Sequence, residues 1–219
     1  MSNNTLLPPF SRLDGALVDL TRVKDPALLA RVNAFLSSGR SKETFALRDR
    51  IESGFYSKFI TAADKNILDI GAGIGLFSIY VSPQVTTVLS VEQNDEQYHL
   101  LADLSMSFAG KLCGHSFLHA NVDKGDIDNG EYKSISLNSL LNYYGENGAT
   151  IDLMRVNTYS FEREVLSHTD LVKLRKTCRA VLVEIAEPNC LDVSDEYWVM
   201  LRRAGYKVRN VNPKTLFAT

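Results

Sequence analysis

The stretch Asn66–Tyr80, NILDIGAGIGLFSIY, constrains the fold of this chain more than any other feature. It opens with a short apolar run around Asp69, which is typical of a buried parallel strand. Glycines follow at alternate positions, Gly71, Gly73 and Gly75, and an apolar helical pattern starts directly after them. Because glycine has no side chain, such a turn can bend sharply and let a ligand approach the main chain. Strand, glycine turn and helix in this order indicate a nucleotide-type site at the carboxyl end of a strand.

The spacing of the glycines narrows the class of ligand. A dinucleotide-binding turn has the pattern G-x-G-x-x-G, whereas this chain has G-x-G-x-G with Asp69 before it. A second apolar strand, 87–92, ends in Glu92 about 20 residues further on, where a carboxylate can accept both hydroxyls of a ribose. Asp69, the glycines and Glu92 together resemble the first two motifs of class I S-adenosylmethionine-dependent methyltransferases. A nicotinamide site and a purely structural loop stay open as alternatives.

Length and composition fit one domain with an N-terminal extension. The chain has 219 residues, of which 45% are hydrophobic, enough for a sizeable core. A formal net charge of -2 gives no sign of the basic surface of a general nucleic-acid binder. We expect no membrane segment, since no apolar run approaches the roughly 20 residues that span a bilayer. The N-terminus lacks a secretory signal pattern, and the scattered Cys113, Cys178 and Cys190 indicate reduced thiols, so we expect a cytoplasmic protein without a metal site.

The order of the predicted elements indicates a doubly wound sheet. Asp25 and Pro26 begin a first helix and a second starts near Ser41, so residues 1–62 are predicted to form an arm and a helical cap. Residues 63–219 then form the ligand-binding domain, in which strands and helices alternate before a closing hairpin over 206–218. The expected fold class is α/β, a doubly wound, mostly parallel seven-stranded sheet of the Rossmann-like type found in class I methyltransferases.

Two further segments each allow a functional and a structural interpretation. Asn121 and Val122 follow the third strand, whose end contacts adenine in many adenosine-binding folds. They belong to the segment 120–133, which is polar, acidic and rich in turn-forming residues and is predicted to be a surface loop. Phe55 and Tyr56 lie directly before the first strand. They can form a lid over the ligand, or pack the preceding helix onto the sheet.

Similarity beyond the glycine turn indicates one family. The segments ILDIGAGIGLFSIY, VLSVEQNDEQYHLL, SLNSLL, IDLMRVNTYSFEREVL and AVLVEI resemble the FkbM family of methyltransferases in order and spacing, over residues 55–185. The resemblance implies S-adenosylmethionine as cofactor and O-methylation of a small-molecule or sugar-type acceptor. Asp69, the three glycines and Glu92 match its cofactor positions. The full set of residues expected to bind the cofactor is Asp69, Gly71, Ala72, Gly73, Gly75, Phe77, Glu92, Gln93, Asn121 and Val122.

The end of the fourth strand departs from the family's pattern. The family usually has K-hydrophobic-D-x-E-G there, whereas this chain has RVNTYS over 155–160, without either acid. Asn157 cannot act as a general base but can orient an acceptor, and Glu184 is the nearest candidate base, with a pairing to Arg155 as the alternative. Arg155 favours an anionic acceptor, since guanidinium pairs bidentately with carboxylate or phosphate. The alternative function is a domain that binds the cofactor without transferring a methyl group.

Overall fold

The computed structural model describes residues 25–37, 50–51, 53–107, 114–130, 133–158, 162–185, 190–212 and 214–219. The α-helices are α1 Pro26–Ser37, α2 Leu76–Val81, α3 Asp95–Ser107, α4 Leu137–Glu146, α5 Glu162–Ser167, α6 Leu171–Thr177 and α7 Cys190–Arg203. The strands are β1 Asn66–Ile70, β2 Thr87–Glu92, β3 Gly114–His119, β4 Asn121–Asp123, β5 Ile127–Asp128, β6 Lys133–Ser136, β7 Ile151–Val156, β8 Cys178–Glu184, β9 Val208–Asn212 and β10 Thr215–Ala218.

A seven-stranded sheet in the order β3-β2-β1-β7-β8-β10-β9 forms the centre of the fold. Strands β3, β2, β1, β7 and β8 are parallel, and β10 runs antiparallel between β8 and β9. The chain moves outward from β1 to β3 and then returns to the other side of β1, so the strand order reverses between β1 and β7. Ligands of doubly wound folds bind at the carboxyl ends of the strands at such a reversal. This confirms the predicted class I methyltransferase fold, including the closing hairpin.

Apolar layers cover both faces of the sheet. One layer packs α1, α2 and α3 against strand residues such as Ile67, and the other packs α4 to α7 against residues such as Leu68. Because side chains alternate between the faces and both faces are buried, the parallel strands are nearly continuous apolar runs. Among the described residues, no helix is both long and apolar enough to cross a bilayer.

The segment 120–133, predicted to be a surface loop, contributes instead to a second sheet. Strand β6 is the central strand of this second sheet and pairs in parallel with β4 and antiparallel with β5. These strands are two to four residues long. The prediction was wrong because strand formation here depends on pairing between separate segments, which the polar composition does not reveal.

The region before β1 is described only in part. The predicted arm over 1–24 and most of the second predicted helix lie outside the described residues. Arg50 and Ile51 are helical, and the chain turns at Gly54, which has a φ of 69°. This turn ends the helix that contains Arg50 and Ile51, whereas the domain boundary at residue 62 stays a prediction.

Candidate active site

The glycine turn lies at the carboxyl end of β1, beside the reversal of strand order. Gly71, Gly73 and Gly75 have φ values of 73°, 60° and 84°, the left-handed region that favours glycine. A Cβ added at Gly71 would lie 1.9 Å from the carbonyl oxygen of Asn157, and one added at Gly75 would lie 2.3 Å from Cδ1 of Leu101. The main chain of Asn157 therefore excludes a side chain at Gly71, whether or not a ligand is bound, whereas one at Gly75 would require the Leu101 side chain to move.

The N–H groups of this turn are largely satisfied within the protein. Gly71 and Ala72 donate to the carbonyl oxygen of Val91 at 2.9 and 3.1 Å, and Gly73 donates to Oε2 of Glu92 at 2.7 Å. A pyrophosphate group is bound at a helix N-terminus by N–H groups that point at it. The internal bonds therefore disfavour the nicotinamide alternative. A ligand whose bound end is cationic does not require such donors.

Glu92 ends β2 with its carboxylate under the glycine turn. It is 3% exposed, and its Oε1 accepts a hydrogen bond from the N–H of Asn94 at 2.8 Å. Burial raises the pKa of Glu92 above its ordinary value, while the backbone N–H donors oppose that shift. A carboxylate has about four acceptor positions, so Glu92 retains capacity for a ligand hydroxyl.

Two cavities meet beside Glu92. The smaller one, of about 20 Å³, lies between Gly71, Glu92 and Val122. It shares Gln93 and Asn121 with a cleft of about 990 Å³. The cleft has room for an adenosine group, whereas the smaller cavity must widen to hold an amino-acid chain. Five predicted cofactor residues thus line these cavities: Gly71, Glu92, Gln93, Asn121 and Val122.

Two predicted cofactor residues support the turn from beneath and do not face the cavities. Asp69 and Phe77 are both 0% exposed. Asp69 accepts hydrogen bonds from Ser78 Oγ at 2.6 Å and Arg155 Nη1 at 2.7 Å, and the Phe77 ring packs 4.9 Å from that of Tyr56. The expectation of direct ligand contact is corrected for these two side chains, because neighbouring strands and helices enclose them. Ala72, Gly73 and Gly75 are also buried.

A series of side-chain hydrogen bonds connects Asp69 with the edge strand β3. Ser90 Oγ lies 2.7 Å from Ser78 Oγ and 2.7 Å from His115 Nε2. Since the carboxylate can only accept, Ser78 donates to Asp69, Ser90 donates to Ser78, and His115 donates from Nε2. Burial lowers the pKa of His115 to about 4, consistent with a neutral ring. No sequence motif predicted these hydrogen bonds, although Ser90 is a polar residue between the apolar residues of β2.

Four charges of alternating sign run from the turn toward the ends of β7 and β8. Arg155 lies between Asp69 and Glu184 and donates from Nε to Glu184 Oε2 at 2.6 Å. The other oxygen of Glu184 accepts from Arg50. Side-chain exposure is 0% for Asp69, 1% for Arg155, 2% for Glu184 and 26% for Arg50. The chain of charges is therefore buried except at its Arg50 end.

Glu184 does not fit the predicted role of general base. Besides the two guanidinium groups, it accepts the hydroxyl of Tyr56 at 2.6 Å and Asn157 Nδ2 at 3.4 Å. Burial opposes ionisation, but the charges of Arg155 and Arg50 and the hydrogen bonds from Tyr56 and Arg155 keep the pKa of Glu184 below its ordinary value. The pairing of Glu184 with Arg155, named above as the alternative, is what the structure contains. Arg155 is occupied on both sides and has no free edge for an acceptor.

Asn157 lies where β1 and β7 come together. Its N–H donates to the carbonyl oxygen of Ile70 at 2.9 Å, which fixes it beside the glycine turn. Because Nδ2 points to a carboxylate, Oδ1 is directed elsewhere and can accept a further hydrogen bond. Tyr159 of the same motif lies outside the described residues.

The side chains of Tyr56 and Phe55 pack into the protein and do not form a lid over the ligand site. Tyr56 is 0% exposed, and its hydroxyl is bonded to Glu184 as described above. Phe55 is half-buried, with its ring 5.2 Å from that of Tyr56 in an edge-on arrangement. Tyr56 is therefore part of the wall beneath the site.

The sequence matches no family model and no curated protein with which it was compared. Solved structures resemble it in fold. YcgJ from Bacillus subtilis is 10% identical, with a TM-score of 0.50 over 75% of this chain and 71% of that chain. A precorrin-6y C5,15-methyltransferase from Geobacter metallireducens is 14% identical (TM-score 0.49, 76% and 86% covered), and a SAM-dependent methyltransferase from Aquifex aeolicus is 16% identical (0.46, 76% and 86%). At these identities the likeness concerns the fold, and the narrower assignment to the FkbM family stays a prediction.

Proposed function

We propose that this chain is a methyltransferase that binds S-adenosylmethionine and methylates an oxygen of a small molecule. The observation that carries the proposal is the position of Glu92, a buried carboxylate with spare acceptor capacity at the junction of the two cavities. Glu92 would bind the ribose hydroxyls, with Gln93, Asn121 and Val122 around the adenine. The main chain of the glycine turn would lie beside the cationic end of the cofactor.

Bound in this way, the cofactor supplies a methyl group on a sulfonium, which is already reactive. The contribution of the protein is to align donor and acceptor and to exclude water. Asn157 is well placed between the two substrates, because its main chain contacts Gly71 on the donor side while its side chain bonds Glu184, the carboxylate that also pairs with Arg50.

A second candidate is a domain that binds the cofactor and transfers nothing. It is favoured by one observation, the full occupation of Glu184 by hydrogen-bond donors next to an asparagine at position 157. A hydroxyl acceptor benefits from a general base, and neither residue supplies one.

Calorimetric titration tests the donor site. Wild type should bind S-adenosylmethionine and its demethylated product, but not a nicotinamide dinucleotide. Glu92→Gln should weaken binding about 10-fold or more, because a hydrogen bond to a charged group contributes about 1.5–3 kcal/mol. Glu146→Gln, an equal charge change at the exposed end of α4, serves as the control and should bind like wild type. Unchanged affinity in Glu92→Gln would contradict the assignment.

Labelled donor then separates the two candidates. An active enzyme transfers label to a component of a metabolite extract. A domain without transfer activity binds the donor equally well and leaves the extract unlabelled.

A further inference from the structure

We propose that the acceptor is a small carboxylic acid, methylated on a carboxylate oxygen to give a methyl ester, and that Arg50 binds its carboxylate. This inference rests on the proposed methyl-donor site. It names the class of acceptor and the residue that selects it.

Among the described residues, neither Glu184 nor Asn157 offers the acceptor side of the site a base for a hydroxyl. Glu184 is surrounded by Arg155, Arg50 and Tyr56 and is already bonded to Asn157. Asn157 itself does not titrate. A carboxylic acid has a pKa near 4 and is already ionised at neutral pH, so its oxygen needs no base.

Arg50 is the outer end of the alternating charges Asp69, Arg155, Glu184 and Arg50. The side chains of Asp69, Arg155 and Glu184 are at most 2% exposed and are paired with one another. Arg50 is therefore the one of the four that is accessible to a molecule from solvent. A guanidinium carries five N–H donors in a planar fork. Its Nη1 contacts Glu184, and the ring of Phe55 lies 5.8 Å from the guanidinium carbon, which leaves the 26% exposed part to bind an anion.

Glu184 also places Arg50 close to the donor turn. Arg50 bonds Oε1 of this carboxylate, and Asn157 bonds Oε2. The main chain of Asn157 in turn abuts Gly71. A carboxylate held by Arg50 would therefore lie one side chain away from Asn157, whose main chain borders the turn. An in-line transfer needs donor and acceptor to be close together in this way.

The transfer balances without a proton. One acceptor oxygen attacks the methyl carbon, a new C–O bond forms, and the C–S bond breaks with its electron pair left on sulfur. The carboxylate anion and the sulfonium cation become a neutral ester and a neutral thioether. Arg50 holds the second oxygen and leaves the first free to attack.

The test is a set of matched probes, acetate with acetamide and benzoate with benzamide, titrated by NMR into protein saturated with S-adenosylhomocysteine. We expect the acids to bind at least 10-fold more tightly than their amides. Arg50→Gln should remove this preference, and Arg50→Lys should retain part of it because the charge remains without the planar fork. Arg31→Gln, at an exposed arginine paired with Asp103, is the control and should leave the preference intact.

Equal binding of acids and amides, or an acid preference that survives Arg50→Gln, would overturn the proposal. Melting temperature and S-adenosylhomocysteine affinity are measured for every variant to detect a folding defect. If Arg50→Gln has such a defect, the acid preference of Arg50→Lys decides the test. Failure of wild type to bind S-adenosylhomocysteine would refute the donor site instead.

The product gives an independent readout. Label transferred from the donor to a mixture of carboxylic acids should be released as methanol by mild alkali, because esters hydrolyse and ethers do not. Label that resists alkali would place the methyl group on another kind of atom and contradict the proposal.

Discussion

Replacement of Gly71 by alanine isolates the close approach that joins β1 to β7. A Cβ at this position would lie 1.9 Å from the carbonyl oxygen of Asn157, at a φ of 73°. Left-handed backbone costs a non-glycine residue about 1–2 kcal/mol. Displacing a packed main-chain neighbour adds about 1–3 kcal/mol, as overpacking does elsewhere. We therefore expect Gly71→Ala to lower the free energy of unfolding by about 2–5 kcal/mol.

Gly148→Ala provides the matched control. Gly148 has a similar φ of 63°, but nothing lies within 4 Å of an added Cβ, so only the backbone term of about 1–2 kcal/mol remains. Urea denaturation of both variants, without ligand, measures the difference. Thermal unfolding should also distinguish the two variants, because each kcal/mol corresponds to about 2–4 °C in Tm for a chain of this size. Equal losses would show that the contact with Asn157 does not constrain Gly71.

Two further predictions concern the buried polar groups. Arg155→Met leaves Asp69 and Glu184 without their shared partner and should lower the free energy of unfolding by about 3–5 kcal/mol, whereas Arg163→Met, at an exposed arginine, should change it by less than about 1 kcal/mol in urea denaturation. His115 has a folded pKa of about 4 and an ordinary value of 6.5, so the unfolded chain binds the proton first and stability should fall as pH drops through this interval. His115→Asn should flatten the dependence of unfolding free energy on pH there, and an unchanged slope would contradict the assignment.

The neutral Asn157 after β7 and the pairing of Glu184 are parts of one arrangement. In the part of the chain that the structure describes, the carboxylates bonded to Arg155 and Arg50 are those of Glu184 and Asp69. Both carboxylates are then needed to stabilise the guanidinium groups, and neither is free to take a proton. A site built in this way suits an acceptor that arrives already ionised.

Local patterns in the sequence were sufficient to predict most of the fold. The bounds predicted for β2, 87–92, are those of the structure, because this strand is a short apolar run between turn-forming residues. Asp25 caps α1 through the N–H of Ala27 at 2.8 Å, as its position before Pro26 indicated. The glycine turn and the alternation of strands and helices then determined the doubly wound sheet.

Tertiary packing decided which residues face the site. Asp69 and Phe77 belong to the motif but lie beneath the turn, since Arg155 and Ser78 approach Asp69 from a neighbouring strand and from α2. The second sheet likewise depends on the parallel pairing of β6 with β4, which β5 separates from it in the sequence. A local pattern fixes the phi and psi preferences and the apolar face of an element. The direction of a polar side chain depends on partners that only the folded chain brings within hydrogen-bond distance.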